Sequence, residues 1–160
     1  MSKSLKRVAR ALEEIGLRTE IVEVGAARTA SEAAASLGCA VDQIANSIIL
    51  VGQRTGQVKL FLTSGAHRVD LARAAAAAGE PLGKADAGVI RAQTGFAIGG
   101  VSPVGHTAPL PAWIDPHLLC FGRVYVAAGT PRHLFGLTPA ELVEITGGQV
   151  IDVTETSKAM

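Results

Sequence analysis

The chain has 160 residues, 48% of them apolar but only 4% aromatic, with 18% charged and a formal net charge of +1. That length buries a full core without staples, so a single domain over residues 1–160 is the default. A charge this close to zero excludes the overall basicity of a dedicated DNA-binding protein but leaves a local patch for RNA open. Cys39 and Cys120 form no CxxC and no metal spacing, so buried thiols in a reducing compartment are expected. No apolar segment follows the charged start of the chain, and no run approaches a membrane span. A cytoplasmic protein without a membrane partner, metal or cofactor is the resulting expectation.

Leu5, Val8, Leu12 and Ile15 recur at helical spacing before Gly16, which predicts an amphipathic helix. On its other face Lys3, Lys6, Arg7 and Arg10 make a basic stripe, read as a solvated face with a phosphate contact as the alternative. Residues 20–24 predict a strand. Thr29 and Glu32 form a capping pair for an alanine-rich helix that stops at Gly38. Ser47–Val51 and Gln57–Thr63 read as a β-hairpin around a Gly-containing loop. Asp70 caps a helix running to Ala78, and Asp86 starts another. Strands are expected near Ala112–Ile114, Leu118–Phe121, Val124–Ala127 and His133–Leu137. Thr138-Pro139 opens a last helix that ends at Gly147. Gln149–Val153 predicts a closing strand, and Thr154–Met160 a frayed tail. Without regular βαβ alternation, α+β is the expected class.

The densest signal is Gly95–His106, with four glycines and a proline in twelve residues. Such a segment is neither a regular helix nor a central strand. It is a shaped loop whose N–H groups suit an anion or a developing oxyanion, or else a tight turn in the core. Ser102 is not a nucleophile elbow, because Pro103 and Val104 follow it where GxSxG needs a glycine one position later. No phosphate-binding glycine motif and no HExxH occurs. The four histidines sit at no zinc spacing. Phe96 and Trp113 read as core residues before they read as base-stacking ones.

Ala34-Ala35, Leu37-Gly38, Gln43-Ile44 before an aliphatic strand, Val69-Asp70, Gly95–Gly105 and Ile114-Asp115 together resemble the YbaK/ProX family of aminoacyl-tRNA deacylases. That family is related to the editing domain inserted in bacterial prolyl-tRNA synthetases. The resemblance covers roughly Leu5 to Val153, and Gly99-Gly100-Val101-Ser102-Pro103 is its most specific part. It implies a mixed, barrel-like β core ringed by helices and hydrolysis of the ester on mischarged tRNA. Aminoacyl-tRNA would be the partner, with a synthetase as a second candidate.

The resemblance also implies a site between the entrance to the hairpin's first strand and the glycine loop. Asn46, Gly99, Gly100 and Ser102 are then the candidate catalytic groups. Ile44, Ser47, His67, Asp70, Val101, Pro103 and His106 are the candidate substrate contacts, with His67 and Asp70 near the mouth. One departure stands out. The family carries a lysine in a pattern like Ile-Val-Lys-Thr-Leu, where this chain has Asn46. Asparagine keeps hydrogen-bonding capacity and loses the charge. Three readings follow: a trans-editing deacylase, a catalytically weak aminoacyl-tRNA binder, and an unrelated small-molecule binding barrel.

Overall fold

The computed structural model describes residues 2–25, 27 and 29–155. Its helices begin and end where local chemistry dictates. α1 (Lys3–Ile15) is capped by the Ser2 hydroxyl and buries Leu5, Val8 and Leu12. α2 (Ala30–Leu37) starts at Thr29, whose hydroxyl accepts from the Glu32 N–H. α3 (Leu71–Ala78) and α4 (Ala87–Thr94) start at the carboxylates of Asp70 and Asp86. α5 (Pro139–Thr146) has the full capping box of Thr138 and Glu141.

Two sheets carry the strands, and among the described residues neither closes on itself. The smaller has the order β1-β7-β6, from Ile21–Glu23, His133–Leu137 and Val124–Ala127. All its pairs are antiparallel. The larger has the order β4-β2-β3-β5-β8, from Leu82–Lys84, Ala45–Gly52, Val58–Ser64, Ala112–Ile114 and Gln149–Val150. Within it β2 and β3 form the expected hairpin, whereas β3–β5 and β5–β8 are parallel. A single parallel bridge between Ile44 and Tyr125 joins the two sheets.

The central strand β3 is buried along its whole length. Val58, Leu60 and Leu62 point into the main core with α1, β6 and β7. Phe61 points the other way, stacks on Trp113 with 5.0 Å between ring centroids, and packs near Ala74 of α3. Trp113 and Phe96 are therefore core residues, 7% and 0% exposed. A third cluster packs Ala33 and Ala34 of α2 on Val24, Ile44 and Leu134.

Some expectations need correction. Leu118–Phe121 is not a strand: Pro116–Cys120 is a 3-10 helix, because Asp115 caps it through the His117 N–H and Pro116 presets its first turn. The closing strand spans only Gln149–Val150, since the Asp152 carboxylate binds the Thr154 N–H and hydroxyl and turns the chain. Thr154 is not frayed; it bridges Val69, and Glu155 N–H binds the Arg68 carbonyl. Residues 156–160 of the expected tail lie outside the described residues. Cys120 is exposed rather than buried, and Cys39 is half-buried, which pushes its thiol pKa up. Among the described residues no helix is long and apolar enough to cross a membrane.

One buried ion pair locks the hairpin to the α3–β4 turn. Lys59 Nζ lies 2.8 Å from Glu80 Oε2, with both side chains almost fully buried. Glu80 also accepts from the Thr55 hydroxyl and from the N–H groups of Arg54 and Thr55. Lys59 first, then the Thr55 hydroxyl, pull the Glu80 pKa from the usual 4.5 to about 2. The unfolded chain therefore binds the extra proton between those values. The pair's contribution is complete above pH 4.5 and is lost as the pH falls from there toward 2. Thermal unfolding across a pH series checks this: Glu80→Gln should lower the melting temperature at pH 7 and flatten the loss between pH 4.5 and 2.

Candidate active site

β4 pairs with β2 only at Leu50, Val51 and Gly52. The stretch from Ala45 to Ile49 pairs with β3 on one side and, among the described residues, with no strand on the other. In an antiparallel pair alternate residues of such an edge present N–H and C=O outward. Against this edge lies a cleft of about 540 Å³, lined among others by Asn46, Ser47, Gly99, Arg132 and the alanines at 30, 33 and 127. Asn46 and Gly99, distant in sequence, thus face one cavity. Ile44 lines it too. The Ser47 hydroxyl is buried there with no protein partner.

The glycine loop forms the wall through two local features. Gly99 has φ +86°, a conformation that side chains rarely adopt. Gly100 lies flush on the next turn, where an added Cβ would stand 2.7 Å from Thr130 backbone atoms. The loop is held from behind. Arg7 donates to the Gly95 carbonyl and lies 4.4 Å over the Phe96 ring, so it is not part of a free phosphate-binding stripe. His106 donates from Nε2 to the Ser102 carbonyl, and its burial pushes its pKa down.

The other loop residues singled out from sequence do not line the cleft. Val101 and Ser102 are 1% and 0% exposed. The Ser102 hydroxyl accepts from the Val104 N–H within the loop. Pro103 is buried and His106 half-buried. Their geometry serves the wall, and of the loop it is Gly99 that lines the cavity.

A smaller cleft of about 300 Å³ shares Asn46 with the main one and is lined also by Thr63, His67 and Arg68. His67 Nδ1 lies 2.7 Å from the Asp115 carboxylate, which also accepts from the N–H groups of Ser64 and His117. A carboxylate only accepts, so Nδ1 carries the proton and Nε2 keeps its lone pair in neutral His67. His117 stacks on His67 with 4.8 Å between centroids and holds Asp42 through Nε2 at 2.9 Å. The Asp115–His67 pair, invisible in the spacing of a histidine and an aspartate 48 residues apart, is made by the parallel placement of β5 beside β3. Asp70 lines neither cleft; its carboxylate is bound by the N–H groups of Ala72 and Arg73. Arg132 was given by no motif, and only a contact across the fold brings it to the rim.

The main cleft is thus poor in charge. Among the described lining residues Arg132 alone is ionisable, and no carboxylate, histidine or cysteine is present. Such a site provides hydrogen-bond donors and shape, and leaves the proton acceptor to the substrate or to water.

This fold is that of an aminoacyl-tRNA editing domain. Residues 24–145 match the aminoacyl-tRNA editing domain family, and the chain belongs to it. It is 29% identical over 130 residues to EbsC of Enterococcus faecalis, named "putative Cys-tRNA(Pro)/Cys-tRNA(Cys) deacylase", covering 79% of this chain and 77% of that one. It is 31% identical over 126 residues to the uncharacterised protein YwhH of Bacillus subtilis, covering 78% and 80%. A crystal structure described as "a putative trans-editing enzyme for prolyl tRNA synthetase" superposes with TM-score 0.91 at 48% identity, covering 98% of this chain and 99% of that one.

Two substitutions separate wall from cap. Gly100→Ala should cost about 1–3 kcal/mol in thermal unfolding, because backbone rather than a mobile side chain must give way. Asp70→Ala should cost about 1 kcal/mol as a lost cap. It should also leave turnover intact; an unchanged melting temperature with abolished activity would place Asp70 in the chemistry instead.

Proposed function

We propose that this protein is a trans-editing hydrolase that cleaves the ester between a wrongly attached amino acid and its tRNA. The observation that carries the reading is the charge-poor cleft in which the unpaired edge of β2, with Asn46, faces Gly99. Membership of the editing-domain family, and relatives named for deacylation and trans-editing, support the same substrate class. In this reading the residues singled out from sequence keep distinct roles. The Asn46 amide and the outward N–H groups hold the ester carbonyl and stabilise the oxyanion as water adds to it. The acyl C–O bond then breaks, the ribose oxygen takes a proton, and a free amino acid and intact tRNA leave. With no side-chain base among the cleft's described residues, a neighbouring ribose hydroxyl orients the water, as the family resemblance implies.

The alanine-rich floor selects by exclusion. Methyl walls at 30, 33 and 127 reject large side chains more sharply than they favour small ones. A synthetase that releases such a tRNA is the natural donor. The test is release of amino acid from a panel of correctly and incorrectly charged tRNAs. Wild type should turn over at least one mischarged tRNA with a small side chain, and Asn46→Ala should slow that several-fold to about tenfold. No release across the panel at high enzyme concentration overturns the proposal.

A further inference from the structure

Among the described arginines Arg132 alone lines the main cleft, and its head group is free to act there. Arg7 is engaged with Gly95 and Phe96, Arg54 with the Gly79 carbonyl, and Arg123 with the Tyr125 ring. Arg132 is exposed, and its guanidinium makes no hydrogen bond or ion pair with the described residues. Its backbone is pinned all the same. The Arg132 carbonyl accepts from the Val24 N–H at 2.8 Å, and its own N–H donates to the Thr130 hydroxyl at 3.1 Å. That hydroxyl also meets His133 Nδ1 at 2.6 Å, and the Thr130 backbone is pressed against Gly100. A rigid root thus carries a free cationic fork at the rim of a cleft with no other charge among its described lining residues.

We propose that Arg132 is a substrate-binding residue whose guanidinium holds a phosphodiester of the RNA acceptor strand, the phosphate on the 5′ side of the terminal nucleotide. The inference rests on the proposed ester substrate. In an aminoacyl ester the carboxyl group is consumed, so the amino-acid end offers no anion. It carries an ammonium group that Arg132 repels. The first anion along the substrate is the phosphodiester, and a planar guanidinium fork matches its two free oxygens. The charge therefore fixes the direction of entry. The aminoacyl group lies toward the floor at Ala30, Ala33 and Leu134, and the nucleotide toward the turn that carries Pro131 and Arg132.

The experiment compares AMP with adenosine, and uncharged tRNA across a salt series, on wild type and Arg132→Gln. Wild type should bind AMP about tenfold more tightly than adenosine, and the variant should bind the two alike. The variant's melting temperature should not change, because the head group makes no hydrogen bond or ion pair with the described residues. The salt slope for tRNA should fall by about 0.7–0.9 for the one lost phosphate contact. Arg132→Lys should keep most of that slope. An AMP preference that survives in Arg132→Gln, an equal loss for AMP and adenosine, or no AMP binding by wild type each overturns the inference. Deacylation with an Arg132-independent phosphate preference would sink this inference alone. An Arg132-dependent preference without deacylation would sink the proposed activity and keep the phosphate site.

Discussion

Gly100 lies against the backbone of Thr130 at a separation that admits no side chain, and the geometry of the cleft follows from that contact. The turn from Gly129 to Arg132 is set by the loop that meets it. Gly99, next in the chain, is thereby turned toward β2. On the far side the loop is gripped by α1 through Arg7, Gly95 and Phe96. Buried Phe96, Val101 and Val104 weld it into the main core. A loop rich in glycine is ordinarily mobile because few contacts order it. Here the apolar residues between the glycines supply those contacts, and the glycines supply the close approach.

The large sheet does a different job. Its central strand is covered on both faces, which makes it a platform for both clefts. β4 ends its pairing at Leu50, so the first half of β2 keeps an open edge. An unpaired edge is a hazard for strand-to-strand association unless something covers it. In this fold the edge faces α2 and the glycine loop across the cleft, which leaves room for a small ligand and none for a flat strand. The feature that would threaten solubility elsewhere becomes a row of hydrogen-bonding groups inside a cavity.

The chemistry follows from what the cleft lacks. A hydrolytic site with its own base needs a histidine or carboxylate within reach of the attacking water. The Asp115–His67 pair has the right form, but His67 lines the smaller cleft and not the main one, although the two clefts share Asn46 and Ile48. The main cleft instead offers amide groups and small apolar walls. That combination suits an activated ester, whose leaving group is already good and whose carbonyl chiefly needs orientation and oxyanion stabilisation.

Helix starts at Thr29, Asp70, Asp86 and Thr138 were legible in the sequence because a cap is a contract between residues two or three apart. The hairpin was legible because its turn is local, and the glycine loop because glycine and proline act on their own backbone. The resemblance put Asn46 and the glycine loop in one site, and both Asn46 and Gly99 line the main cleft. Cross-chain meetings were not legible: the parallel seat of β5 beside β3, the short β4, the Asp115–His67 pair, and Arg132 at the rim. The apolar run at Leu118–Phe121 fits a strand and a short helix equally, and Asp115-Pro116 decided between them. Local chemistry fixes elements and their ends, since its partners are already neighbours. Which distant elements share a wall depends on how buried faces pack, and no spacing along the chain records that.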